Sequence, residues 1–115
     1  MRVKRGLVSK RKHNKLLDLA KGYRGSRSRL IRTAKAAVLQ AGQYAFQGRK
    51  NRKRDFRTLW ITRISEAVKL QDISYSVFMN KLTKAKIGLD RKILADLVTN
   101  DPETFKKVVE MAKKA

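Results

Sequence analysis

The chain has 115 residues, with 30 Lys+Arg against 9 Asp+Glu and a formal net charge of +21. A free compact domain with that charge repels itself unless a polyanion neutralises it, so the composition points to nucleic acid or an anionic membrane surface. The lack of cysteine excludes disulfides and thiolate metal sites. No apolar run approaches the roughly 18 residues of a membrane span, and the basic start lacks the apolar stretch of a signal peptide.

Charge divides the chain. Residues 1–57 hold 19 Lys+Arg and 2 acidic residues, whereas residues 58–115 hold 11 and 7. Bulky apolar residues concentrate in the second part. This asymmetry predicts a basic, mainly helical extension over 1–57 and a small all-α globular domain over 58–115.

In chain order, the first cations are Arg2, Lys4, Arg5, Lys10, Arg11, Lys12 and Lys15, a run expected to have little structure alone and to order on binding. The bland alternative is a solubilising tail. Leu16, Leu17, Leu19 and Ala20 suit one short amphipathic helix. Gly22 and Gly25 around Tyr23-Arg24 mark a break, after which Ser26 or Ser28 offers a helix cap.

Leu30, Ala34, Ala37, Val38, Ala41 and Ala45 then recur at helical spacing in a thin apolar stripe. A second stripe follows at Phe56, Leu59, Trp60, Ile64, Ala67 and Val68. Gly42 and Gly48 weaken the helix locally but need not stop it. The reading is a helical arm that becomes the first helix of the C-terminal domain.

Beyond it, Ser74 can cap a helix carrying Val77, Phe78, Met79 and Leu82, and Gly88 marks a turn. Asp90 can cap a helix carrying Ile93, Leu94, Leu97 and Val98. Asp101-Pro102-Glu103 combines a cap, a proline at the first helical position and an acid in the first turn. Phe105, Val108, Val109 and Ala112 supply the last helix's buried face. No alternating strand pattern occurs, so the fold class is all-α, with a core of about four helices.

The densest signal is Arg49, Lys50, Arg52, Lys53, Arg54 and Arg57. On a helix these cations cover an arc of roughly 200°. Phosphates on several sides suit that arc better than packing against protein on one side. Arg24, Arg27, Arg29 and Arg32 form a second group beside the glycine break. There arginine supplies a bidentate fork for phosphate and a plane that stacks on bases. Tyr23 either stacks on an unpaired base or covers the turn. Tyr44 and Phe46 either stack on bases or anchor the stripe. Trp60 belongs at core spacing. Arg91 and Lys92 open a helix and form either a further RNA face or a solvated one. His13, alone among lysines, suits phosphate or solvent rather than catalysis.

Enzyme signatures are missing: one histidine and no cysteine give no metal cluster, and there is no Walker loop or dinucleotide fingerprint. No catalytic residue, metal, cofactor or small-molecule substrate is expected. The rivals are an architectural DNA-binding protein and a membrane-surface module. The first lacks a dimer seam. The thin alanine stripe argues against the second.

Ala20-Lys21-Gly22-Tyr23-Arg24-Gly25-Ser26-Arg27-Ser28-Arg29, Ala34-Lys35-Ala36-Ala37-Val38, Ala41-Gly42-Gln43-Tyr44-Ala45 and Arg52-Lys53-Arg54-Asp55-Phe56-Arg57-Thr58-Leu59-Trp60-Ile61-Thr62-Arg63-Ile64 closely resemble bacterial-type large-subunit ribosomal protein number twenty. The resemblance continues through Ser74-Tyr75-Ser76 and Asp90-Arg91-Lys92-Ile93-Leu94-Ala95-Asp96. Ser65 departs from it, standing where asparagine is the usual residue.

The resemblance implies a helical extension threading through 23S-type rRNA and a small helical domain that also contacts rRNA. It adds Arg63 to the RNA-binding set. It further implies a role in large-subunit assembly, and translational repression through the protein's own messenger RNA in some members. The neighbour it implies is large-subunit protein number twenty-one. A cytoplasmic ribosome, or that of an organelle, is the expected location. Neither a membrane nor self-association is expected.

Overall fold

The computed structural model describes residues 2, 4 and 6–115; Arg5 lies outside the described residues. The described chain is helical, with α1 over Gly6–Leu19, a short 3₁₀ turn over Gly25–Ser28, α2 over Ile31–Lys69, α3 over Tyr75–Lys84, α4 over Arg91–Asn100 and α5 over Pro102–Lys114. The all-α expectation holds. Two compact units emerge, residues 1–50 and 51–115.

In the first unit, helix begins earlier than the sequence suggested. Lys10, Arg11, Lys12 and Lys15 lie within α1 rather than in an unstructured run. After Gly6 the segment contains neither glycine nor proline and is rich in Leu, Lys and Arg, all good helix formers. The break comes where the glycines placed it, with φ of 85° at Gly22 and 65° at Gly25, a region that L side chains avoid.

The proposed serine caps do not form. Ser26 and Ser28 sit in the 3₁₀ turn, and the Ser28 hydroxyl donates to the Gly25 carbonyl at 3.1 Å. The Ser26 carbonyl accepts from the Leu30 amide at 2.8 Å and from the Thr33 hydroxyl at 3.0 Å. These bonds postpone the helix to Ile31. Ala20 and Ala34 are fully buried, while Ala37, Val38 and Ala41 are half-buried and Leu30 and Ala45 are exposed. Among the described residues the buried hydrophobic cluster lies wholly in the second unit.

α2 continues without interruption through Gly42 and Gly48. In the second unit its last turns meet α3, α4 and α5 in a core of Ile64, Val68, Phe78, Leu82, Leu94, Ala95, Phe105, Val108, Val109 and Ala112. Helix α5 packs against both α3 and α4. Trp60 lies against this cluster, as its spacing indicated. Phe56 and Leu59, assigned to the same stripe, stay exposed at 44% and 41% because the core begins only one turn later.

The capping is of mixed origin. Asp90 accepts from the Ile93 amide at 2.8 Å. Asp101 accepts from the Thr104 amide at 3.1 Å and from its hydroxyl at 2.6 Å, and these bonds hold its carboxyl below the usual carboxylate range. Ser74 occupies the cap of α3 without a side-chain bond to a helix amide, and its hydroxyl meets that of Ser76 at 3.4 Å instead.

The turn expected at Gly88 is made instead by Lys86, at φ 55°. The Ile87 amide donates to Leu82 at 3.0 Å and the Lys86 amide to Thr83 at 3.1 Å. Asp72, at φ 58°, ends α2 in the same way, with the Ile73 amide donating to Val68 at 3.2 Å. Both are Schellman closures, each followed by an isoleucine packed on the core. A non-glycine residue held in left-handed geometry costs about 1–2 kcal/mol. Lys86→Gly is therefore expected to raise the urea midpoint of the second unit, by about 1 kcal/mol in stability; an unchanged or lower midpoint contradicts this.

Candidate nucleic-acid interface

The second unit begins with the exposed tract Asn51–Leu59 of α2. Within it Arg52, Lys53, Arg54 and Arg57 spread over an arc of about 200° at 100° per residue. Lys53 and Arg57 fall on the same helical line as Trp60, Ile64 and Val68. That line is cationic over its first turns, half-buried at Trp60 and fully buried from Ile64. The first turns lie beyond the core of this unit and are exposed, so charge occupies the core-side face there at no desolvation cost.

The partner of Arg52 is aromatic rather than acidic. The Arg52 guanidinium sits 5.8 Å from the centre of the Phe56 ring, and Phe56 is 6.1 Å from Trp60. Among the described residues the one ion pair is Lys69 to Glu66, at 2.9 Å. Asp55, beside the cluster, neutralises none of it. In the first unit Arg49 and Lys50 are exposed, with the Lys50 ammonium 5.5 Å from the Phe46 ring centre.

The remaining candidates fall in several places. Arg2 and Lys4 are exposed, as are Lys10, Arg11, Lys12 and Lys15 on α1. Tyr23 is half-buried and lies with Arg24 and Arg27 beside Ala37, Ala41 and Tyr44 in an open cleft. Arg29 lines a neighbouring recess with Tyr23, and Arg32 is exposed on the first turn of α2. Lys35, one turn further and also exposed, was missed as a candidate although it stands at a three-residue step from Arg32.

In the second unit Arg63 lies on the wall of a mainly apolar groove with Ala67, Leu70, Val98 and Pro102. Lys92 is exposed. Arg91 is half-buried and donates from Nε to the Tyr75 hydroxyl at 2.9 Å, so part of its donor set joins α4 to the start of α3. Two further lysines also tie this unit together. Lys113 Nζ donates to the Gln71 carbonyl at 3.0 Å and Lys81 Nζ to the Lys113 carbonyl at 3.2 Å.

Among the described residues no group of His, Cys, Asp or Glu could hold a metal ion, and no helix is long and apolar enough to cross a membrane. Fold and charge define a class: strongly basic, all-α proteins that join a long helical extension to a small helical domain.

Comparison with known proteins makes this particular. The family described as Ribosomal protein L20 matches residues 2–108. The chain is 55% identical over 114 residues to "Large ribosomal subunit protein bL20" of Roseiflexus sp. (strain RS-1), covering 99% of this chain and 97% of that one. It is 54% identical over 114 residues to proteins of the same name from Burkholderia cenocepacia (strain HI2424) and Burkholderia mallei (strain SAVP1), covering 99% of this chain and 96% of each. The chain belongs to the ribosomal protein L20 family, whose members are ribosomal proteins and not enzymes.

Proposed function

We propose that this protein is a structural constituent of the large ribosomal subunit, in the cytoplasmic ribosome, that binds 23S-type rRNA directly and promotes subunit assembly. The observation that carries the reading is the set of exposed cations over residues 1–57, none of them in an ion pair among the described residues. A charge so distributed is balanced by phosphates approaching from several sides, and each neutralised phosphate releases counterions. Residues 1–57 act as the binding extension, lowering repulsion between RNA helices as they come together. Residues 58–115 recognise RNA by shape, with Lys92 and Arg63 on their surface. Family membership supports the assignment to the ribosome and a place beside large-subunit protein number twenty-one. Repression of the protein's own messenger RNA follows if that RNA presents a similar fold.

The test is an equilibrium titration against large-subunit rRNA fragments at two salt concentrations, with excess transfer RNA and duplex DNA as competitors. One fragment is expected to survive both competition and high salt. If every polyanion competes equally and high salt abolishes binding, only general nucleic-acid packaging remains.

A further inference from the structure

The cleft of the first unit encloses about 760 Å³, within the roughly 300–1,000 Å³ of small-ligand sites. Its α2 wall comes from residues at three- and four-residue steps, so their side chains share one face. Ala37 and Ala41 make that wall shallow, and a larger residue at either position would fill it. Tyr44 rises from the same face with 63% of its surface exposed. The 23–27 turn supplies Tyr23, Arg24 and Arg27. Gln40, also lining the cleft, offers both an amide donor and a carbonyl acceptor. Among the described residues no carboxylate lines it.

The chemistry of this lining selects its occupant. Flat aromatic faces with an alanine floor accept a planar ring. Two arginines, neither in an ion pair among the described residues, suit phosphate. An amide side chain reads a polar edge. A base inside a duplex has both faces covered by its neighbours, so only an unstacked base can present a face to tyrosine. We infer that this cleft takes one unpaired nucleobase of a bound RNA strand, stacked on Tyr44 and Tyr23, with the flanking phosphates held by Arg24 and Arg27. This deepens the rRNA reading and rests on it for the source of the strand.

The test uses the full chain and two probes of equal length and phosphate number, a short single-stranded RNA and its abasic counterpart. Both carry the same electrostatic term, so any difference reports the bases. The base-bearing strand is expected to bind about ten-fold more tightly, the order of one stacked base. Tyr44→Phe keeps that preference. Tyr44→Ala, which removes an exposed ring, and Ala41→Leu, which fills the cleft while removing no ring or charge, both abolish it. The inference is overturned if the two probes bind alike, or if the preference persists in both variants. Failure of the rRNA competition experiment would leave this base preference in place, so the two readings fail separately.

Discussion

Replacing Arg52, Lys53 and Arg54 together with alanine is expected to weaken binding to large-subunit rRNA by roughly ten- to a hundred-fold near physiological salt. The dependence of log K on log salt should flatten by about 2 to 3. The magnitude follows from three lost phosphate contacts, each adding roughly 0.7 to 0.9 to the slope. Folding should not suffer. All three side chains are exposed, none is in an ion pair among the described residues, and alanine is the best helix former. The helical circular dichroism signal therefore serves as the control. Substituting lysine for Arg52 and Arg54 should restore the slope, because charge is kept, while any loss that remains measures bidentate or stacked contacts that only arginine makes. Unchanged affinity and slope in the triple variant would remove this cluster from the interface.

Phe78→Ala has the largest expected effect on stability. Phe78 is fully buried, and its ring centre lies 5.9 Å from that of Phe105 at a tilt of 59°. It thereby joins α3 to α5. Truncating such a ring costs about 3–5 kcal/mol, whereas a unit of this size has a total stability of only about 3–10 kcal/mol. The second unit should lose its cooperative thermal transition or melt far below the parent protein. Phe46→Ala, at a ring 54% exposed in the first unit, should leave that transition where it was. A midpoint within a few degrees of the parent would mean that α3 and α5 are held by something other than this contact. Ligand binding stabilises the folded form by mass action, so adding rRNA should restore part of the lost midpoint.

The structure corrects the sequence reading where a local rule was applied to a position whose bonding is decided elsewhere. Serine was taken as a cap for α2, but Ser26 and Ser28 lie in the 3₁₀ turn, the Ser28 hydroxyl turns back to the Gly25 carbonyl, and the helix starts at Ile31. Glycine was taken as the turn after α3, but Lys86 makes it, because the packing of Ile87 on the core holds the preceding residue in left-handed geometry. The first cations were expected to have little structure alone and to order on binding; Lys10, Arg11, Lys12 and Lys15 lie in α1, whose residues are mostly good helix formers.

The amino-acid sequence by itself determined the all-α class, the breaks at Gly22 and Gly25, the Asp90 and Asp101 caps and the buried faces of the last three helices. Each of these follows from periodicity or from bonds within three or four residues, which a linear reading contains. It also located the cationic runs, because charge needs no tertiary context to be counted. Only the tertiary structure decided which members of a stripe are covered. Phe56 and Trp60 sit on neighbouring turns of one helix, yet burial depends on where α3, α4 and α5 end, and it starts at Trp60. Tertiary structure likewise brought Tyr23, Arg24 and Arg27 onto the same cleft as Ala41 and Tyr44, and turned Arg91 towards Tyr75. Those pairings span fourteen or more residues, beyond the reach of helical spacing, and arise only once the chain has reversed direction.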